Sequence, residues 1–368
     1  MTRFRNILKQ INPLCVLLLV GLTFLISLQF TVTPWRVTEP LPDSSVFRYV
    51  ALEMDRGGMP YLDTFDHKGP LIYFINWLGM RLSFWQGLWF LEFASMLATV
   101  SIMYITARRF ASRAWSLVCV VATATLLKPF LQGGNLVEEW ALPFTAFAMW
   151  STCSVVLGDR PSKVRSVATG ACFGAVLLMR PNMVAVWAAY VVAVVWQGVS
   201  QKDARLVARE AGLFICGALL TVLPVFIWLG ARGAFGAFVD DYLVFNVTYS
   251  KGIKGTLAQM RDRVDVLTTF ASMPTIAASI VLGVIGWRQK KPCARICALA
   301  LALSLLSASL SGYMFQHYGM MLLPSVCAAI ACSLAKTEGE GKASPGRLRT
   351  GTPSSRRITE TGRRGSSW

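Results

Sequence analysis

The stretch GGMPYLDTFDHKGPLIYFIN, residues 57–76, concentrates charge in a chain that is otherwise largely apolar. Four titratable side chains precede its Gly-Pro pair, and they are Asp63, Asp66, His67 and Lys68. The surrounding sequence predicts a short amphipathic helix over Ser44–Arg56, ended by two glycines, and a second helix over Pro70–Leu82 with proline at its start. Such helices are typical of the interface between water and lipid. We therefore expect the polar turn between them to lie at a membrane boundary, beside an apolar groove.

The composition is that of an integral membrane protein. Of the 368 residues, 54% are hydrophobic and only 15% are charged, and the mean hydropathy is +0.51, which lies well outside the usage of soluble proteins. Crossing about 30 Å of hydrocarbon takes roughly 20 apolar residues, and such segments recur along the chain. The sequence thus predicts an all-α polytopic bundle of about ten transmembrane helices. The predicted spans are Pro13–Thr33, Trp85–Ala107, Ala114–Leu127, Leu142–Leu157, Val167–Met179, Met183–Val199, Leu213–Leu229, Leu267–Trp287, Ile296–Ser311 and Met320–Ala335.

The distribution of Lys and Arg sets the expected orientation in the cell membrane. A net charge of +17 would also suit a nucleic-acid partner, but the basic clusters occur in every second connection, as the positive-inside rule describes. We therefore expect no nucleic-acid partner, and we place these connections and both termini in the cytoplasm. The cytoplasmic clusters are Arg3, Arg5 and Lys9; Arg108, Arg109 and Arg113; Arg160, Lys163 and Arg165; Lys202 and Arg205; and Arg288, Lys290, Lys291 and Arg295. The connections predicted to face outward are Pro34–Ser83, Lys128–Ala141, Arg180–Asn182, Gly230–Asp265 and Gly312–Gly319.

Three regions follow from this pattern. Residues 1–12 form a basic cytoplasmic N-terminus, and residues 13–335 form the transmembrane domain, with 34–83 as its first extracytoplasmic loop. Residues 336–368 are rich in Gly, Ser, Thr, Arg and Lys, and we expect a disordered basic cytoplasmic tail. The change in composition at Ala335 is abrupt enough to suggest a truncated or frame-shifted end.

Most of the unusual polar residues fall in the connections predicted to face outward. They are Asp43, Asp63, Asp66, His67, Lys68, Glu138, Glu139, Arg180, Asn182 and His317. Charges near the ends of membrane helices usually line a pocket or a pathway, because they are costly there. For Arg180, snorkelling to the interface is an equal alternative. Glu138 and Glu139 are adjacent and so point apart on a helix. That one of them is only solvated is an equal alternative to a role in binding.

Five pieces of sequence carry a resemblance to a known family. They are DSSVFRYV at 43–50, the stretch at 57–76, GGNLVEEWALPF at 133–144, LLMRPNM at 177–183 and YMFQHYGMMLLP at 313–324. In order and in predicted side of the membrane they resemble the GT-C glycosyltransferases, in particular the bacterial relatives of protein O-mannosyltransferases and of the lipid A aminoarabinose transferase. The pieces cover most of Pro13 to Ala335. One departure is that O-mannosyltransferases have two acidic residues where this chain has Asp43-Ser44.

The resemblance implies a GT-C-like fold and a glycosyltransferase activity. The donor would be a sugar on a polyprenyl phosphate, and the acceptor a hydroxyl of a cell-envelope glycan, lipid or protein. Asp43 would be the catalytic base, and Lys68 would match a lysine associated with the lipid phosphate. Arg180 is the second candidate for the phosphate, and the candidates for substrate binding are Asp63, Asp66, His67, Glu138, Glu139, Asn182, His317 and Tyr318.

Elementary chemistry agrees with this interpretation. A hydroxyl that attacks an anomeric carbon needs a carboxylate to take its proton, whereas the departing phosphate needs cations. Single displacement would invert the anomeric carbon. The four remaining carboxylates, Asp63, Asp66, Glu138 and Glu139, are candidates for orienting sugar hydroxyls or for binding a divalent cation, whose identity the sequence does not indicate.

Two other functions stay open, and one residue has a simpler explanation. A transporter or flippase of a lipid-linked sugar would also place charges near membrane helices, although such proteins usually have polar groups at mid-membrane and internal repeats. An envelope polysaccharide polymerase or ligase is the second alternative. Asp43 directly precedes the predicted Ser44–Arg56 helix, so that N-capping alone could account for it.

Overall fold

Long apolar segments favour helices in a membrane, because a helix satisfies its own backbone hydrogen bonds where no water is available. The computed structural model describes residues 12–38, 42–159, 162–250, 254, 266–289, 291–310 and 315–335, all within one compact unit, Met1–Ala335. The helices of these residues are α1 (Pro13–Ser27), α2 (Pro42–Asp55), α3 (Pro70–Leu82), α4 (Gly87–Ala107), α5 (Arg113–Thr125), α6 (Lys128–Leu131), α7 (Val137–Val156), α8 (Lys163–Leu177), α9 (Ala185–Gln201), α10 (Ala204–Ala231), α11 (Phe235–Phe238), α12 (Phe245–Tyr249), α13 (Val266–Arg288), α14 (Pro292–Leu310) and α15 (Leu323–Leu334). Other helical turns interrupt them, namely 3₁₀ turns at Pro181–Val184 and Gln316–Leu322 and a π-helix at Val239–Val244.

Each of the ten predicted spans overlaps one of these helices, in agreement with an all-α membrane protein. Within the described ranges, five helical segments are long and apolar enough to cross a membrane, and they are Gly87–Ala107, Pro181–Gln201, Ala204–Ala231, Pro292–Ser309 and Gln316–Leu334. Shorter apolar helices are Pro13–Ser27, Arg113–Thr125 and Pro274–Arg288. The number of about ten spans therefore stays a prediction.

The first helix is shorter than predicted. In place of a span over Pro13–Thr33, α1 ends at Ser27, and strand β1 (Val32–Thr33) pairs antiparallel with β2 (Arg36–Val37). The β-branched residues Val32 and Thr33 favour a strand, and Pro34 fits the turn that follows it. The predicted region 1–12, apart from its last residue, and the predicted tail 336–368 lie outside the described residues.

Both helices that flank the charged turn are present. α3 has the predicted bounds, whereas α2 begins at Pro42 and not at Ser44. Proline fits this first position because the N–H that it lacks would have no partner there. Asp43 therefore lies in the first turn of α2 and does not precede the helix, so the alternative that it acts only as the N-cap does not describe it. Its charge still interacts favourably with the dipole of the helix.

Two apolar clusters hold these elements in place. One packs Phe47 of α2 and Ile72 of α3 together with Trp187 of α9, and the other packs Phe30 and Phe130 around α1, α4 and α5. All five side chains are almost fully buried. The loops at this end of the helices are thus anchored on a packed core, as a preformed site requires.

Candidate active site

The charged turn is attached to the end of α8 through its backbone. Gly69 N donates a hydrogen bond to Met179 O at 3.0 Å. A Cβ on Gly69 would lie 2.0 Å from Leu178 O, so that only glycine allows the two backbones to approach this closely. The turn that carries Lys68 is thereby joined to the segment that carries Arg180.

Gly69→Ala is expected to lower the melting temperature of the solubilised protein by several degrees. The added methyl group would meet a backbone oxygen that cannot rotate away, and overpacking typically costs about 1–3 kcal/mol. Gly230→Ala is the matched control, because a Cβ at that position in α10 meets nothing within 4 Å. A Gly69→Ala protein as stable as the control would contradict the close approach of the two backbones.

Two of the predicted carboxylates support the turn itself. Asp63 is exposed, and its Oδ2 accepts from Met59 N at 2.6 Å. Asp66 is buried, and its carboxylate accepts from His67 N at 2.7 Å and from the Tyr73 hydroxyl at 2.9 Å. Burial raises the pKa of Asp66, and the charge of Lys68 and the two hydrogen bonds only partly oppose this shift. Their placement therefore indicates a structural role for both.

Lys68 is a cation held by a neutral partner. Only 8% of Lys68 is exposed, and its Nζ donates to His67 Nε2 at 2.8 Å, so this imidazole nitrogen carries a lone pair. Burial, and then the charge of Lys68, lower the pKa of His67 to about 4. Burial, and then the charge of Arg180, lower the pKa of Lys68, while nearby carboxylates raise it. Within the described part of the chain no carboxylate forms an ion pair with Lys68, and its charge is available to an anion.

Arg180 is held by side chains from two other segments. Its guanidinium donates to Glu138 Oε1 and to the Tyr318 hydroxyl, and Cζ lies 4.4 Å from the centre of the Tyr318 ring. His317 Nε2 lies 3.9 Å from the same Glu138 oxygen, and His317 Nδ1 lies 3.1 Å from Gln132 Oε1. Arg180 therefore points to a buried carboxylate, and the snorkelling alternative does not describe it.

The adjacent glutamates point apart, as helical geometry predicts. Glu138 faces Arg180, whereas neither carboxylate oxygen of Glu139 has a hydrogen-bond partner among the described residues. Both side chains are buried, so the alternative that one of them is merely solvated is wrong. A further buried carboxylate, Glu92 of α4, accepts from Asn135 N at 2.5 Å. Glu92 was not among the predicted site residues, because it lies inside a predicted span.

The loop before α7 has an unusual backbone. Gln132, Gly133, Gly134 and Asn135 have positive φ angles of 46°, 89°, 89° and 54°. Glycine adopts this region freely and asparagine tolerates it, whereas it is uncommon for glutamine. A Cβ on Gly134 would also lie 2.6 Å from Glu92 Oε1. The geometry thus accounts for the Gly-Gly-Asn of this loop, whereas Gln132 adopts a backbone conformation that its side chain does not favour.

These elements enclose a cavity of about 930 Å³, which is large enough for a small-molecule ligand. Most of the predicted site residues line it, and they are Asp43, His67, Lys68, Arg180, Asn182, His317 and Tyr318. Glu138 lies behind Arg180, and Asp63, Asp66 and Glu139 are not part of the lining. The four carboxylates considered for a cation are thus dispersed. In the part of the chain that the structure describes, no three His, Cys, Asp or Glu side chains are grouped to hold a metal ion.

One wall of the cavity comes from the segment Val239–Tyr249, which holds none of the predicted site residues. Tyr242 donates to Leu177 O at 2.5 Å, and Asn246 Nδ2 donates to His67 O at 2.7 Å. The ring of His67 also lies 5.4 Å from Phe245 and 5.7 Å from Tyr249. The aromatic residues recur at helical spacing inside a connection predicted to face outward, and this spacing was the signal that could have revealed the segment.

Comparisons with solved structures agree with this arrangement at the level of the fold. Two crystal structures of ArnT from Cupriavidus metallidurans, one in the apo state and one bound to undecaprenyl phosphate, have TM-scores of 0.60 and 0.58 at 14% and 13% identity. Each similarity covers 86% of this chain and 59% of ArnT, so the chain spans less than two thirds of ArnT. An oligosaccharyltransferase from Archaeoglobus fulgidus has a TM-score of 0.48 at 12% identity, over 86% of this chain and 50% of that one. The GT-C resemblance is confirmed for the fold.

The comparisons with protein families give the second result. No curated protein matches the chain. The family described as competence-induced protein Ccs4, N-terminal domain, matches residues 9–360, which is nearly the whole sequence. The chain therefore belongs to the family of the N-terminal domain of the competence-induced protein Ccs4, and it has the fold of the GT-C membrane glycosyltransferases.

Proposed function

We propose that this protein transfers a sugar from a polyprenyl-phosphate donor to a hydroxyl of a cell-envelope glycan, lipid or protein, at the extracytoplasmic face and with inversion. The observation that carries the proposal is a single cavity lined by Asp43, Lys68 and Arg180. It combines a carboxylate that can accept a proton with two cations that can attract a phosphate.

The residues divide the reaction between them. The acceptor oxygen attacks the anomeric carbon, the bond from that carbon to the phosphate oxygen breaks, and the acceptor proton moves to Asp43. The polyprenyl phosphate leaves with the electron pair of the broken bond, and Lys68 stabilises the charge that develops on it. Arg180 is already balanced by Glu138, so Lys68 contributes the larger net attraction.

The choice of donor draws support from the fold. One of the ArnT structures is bound to undecaprenyl phosphate, and we propose that the cavity of this chain binds a lipid phosphate of the same class. The lining also includes Leu136, Leu243 and Phe315, and apolar side chains of this kind suit the first carbons of a prenyl chain.

Membrane vesicles that contain the purified protein and a radiolabelled polyprenyl-phosphate sugar test the function. Label that enters a glycan, lipid or protein acceptor supports transfer. Movement of the unchanged lipid across the bilayer, without transfer, would favour the flippase, and extension of a lipid-linked glycan into a polymer would favour the polymerase. Vesicles without the protein are the control in each case.

The proposed orientation predicts that the charged turn faces outward. A cysteine replacing Leu62, which is 53% exposed, should react with an impermeant maleimide on intact cells, whereas the neighbouring Thr64 is a poor site because it is only 9% exposed. A cysteine replacing the exposed Arg113, in a connection predicted to be cytoplasmic, should react only after permeabilisation. The reverse labelling pattern would overturn the extracytoplasmic site.

A further inference from the structure

Asn135 connects several elements through one buried side chain. Its Nδ2 donates to Ser44 Oγ of α2 at 2.9 Å and to Asn76 Oδ1 of α3 at 2.8 Å. Its Oδ1 accepts from Asn76 Nδ2 at 3.1 Å and from Trp140 Nε1 of α7 at 3.0 Å. Only 2% of Asn135 is exposed, and its backbone N–H is used by Glu92. Both polar atoms of the side chain therefore form hydrogen bonds, and their partners belong to three different helices.

The backbone of Asn135 is left-handed, and the hydrogen bonds of its side chain stabilise this conformation. Its φ of 54° follows two glycines at 89°, and persistent left-handed backbone in a non-glycine residue requires support from its surroundings. The hydrogen bonds to the three helices supply that support. Asparagine is also among the side chains that adopt this region most readily.

We infer that Asn135 is a positioning residue for Asp43, because it holds the first turn of α2 through Ser44, the residue next to Asp43. The first turn of a helix frays unless other groups tie it down, and a general base must be held in a productive geometry. The hydrogen bond at Ser44 fixes this turn against the core while Asp43 faces the cavity. The inference rests on the proposed function, in which Asp43 is the base.

The same contact explains the departure from the O-mannosyltransferase pattern. Ser44 is 2% exposed and accepts a hydrogen bond from Asn135 Nδ2, so a second acidic residue at this position would bury another charge. A buried carboxylate without a cation is strongly unfavourable. A small hydroxyl side chain that accepts from Asn135 fits the site without that charge.

Two variants test the inference, each with hydrogen exchange and kinetics on the full-length protein in nanodiscs. Asn135→Gly keeps the left-handed backbone and the N–H to Glu92 but removes the side chain. Ser44→Ala removes only the contact with α2, and it keeps the test decisive if Asn135→Gly does not fold. Ser151→Ala is the control, because it removes a comparable buried hydrogen bond, to Thr169, from the interior of α7.

For both variants we expect faster exchange of the backbone amides of residues 46–49, whose helical acceptors lie in the first turn of α2, and a kcat lowered on the order of 10-fold, with the KM for the donor unchanged. Ser151→Ala should change neither. Unchanged exchange in both variants would overturn the anchoring, and faster exchange with a normal kcat would overturn its role in positioning the base. An inactive wild-type protein would instead show that the proposed function has failed, and the positioning role with it.

Discussion

Asp43→Asn is expected to lower the rate of sugar transfer on the order of 100-fold or more, because an amide cannot accept the proton of the acceptor hydroxyl. The melting temperature should change little. Asp43 lies in the first turn of α2, where the charge of a carboxylate contributes about 0.3–1 kcal/mol through the helix dipole. The expected loss of rate is thus much larger than the expected loss of stability, and this difference separates a role as general base from a role in stabilising the helix. Initial rates with a labelled donor, together with thermal unfolding, measure both.

Asp63→Asn is the matched control for this substitution. Asp63 lies in the same predicted extracytoplasmic loop but outside the cavity lining, and an asparagine oxygen can still accept the hydrogen bond from Met59 N. We expect near-normal transfer from this variant. Normal transfer by Asp43→Asn would remove Asp43 as the base, and Glu138 would be the next carboxylate to test.

Lys68→Gln is expected to lower kcat/KM for the donor on the order of 100-fold, because it removes the cavity cation that has no carboxylate partner among the described residues. The fold should survive, since the glutamine amide can still donate to His67 Nε2. The KM and kcat for a polyprenyl-phosphate sugar, measured beside the melting temperature, give the result. Unchanged KM and kcat would exclude Lys68 from the donor site.

Arg180→Gln provides a contrast with Lys68→Gln. It would leave the buried Glu138 without its partner, and breaking a buried pair typically costs about 3–5 kcal/mol. We therefore expect Arg180→Gln to lose stability as well as activity. The double variant Arg180→Gln/Glu138→Gln removes both charges and should regain much of the stability without regaining donor binding. A single variant with wild-type stability would contradict the buried ion pair.

The sequence by itself determined the features that depend on local rules and on composition. The apolar content predicted a membrane protein, and the ten predicted spans each overlap a helix, because length and hydropathy are properties of a segment and not of its neighbours. The start of α3 followed from the proline at its first position. The opposite directions of Glu138 and Glu139 followed from helical periodicity. Most of the side chains expected at one site do line one cavity.

Only the tertiary structure decided which charges face that cavity and which support its walls. Asp66 and Lys68 are two residues apart in the sequence. The carboxylate of Asp66 nevertheless accepts a hydrogen bond from Tyr73 inside the turn, whereas Lys68 lines the cavity. Arg180 is paired with Glu138, and Asn135 with Ser44, across separations in the sequence of 42 and 91 residues. Such pairs depend on how distant helices pack, and no local pattern encodes that packing. The position of Asp43 inside the first turn of α2 likewise depended on where the helix began.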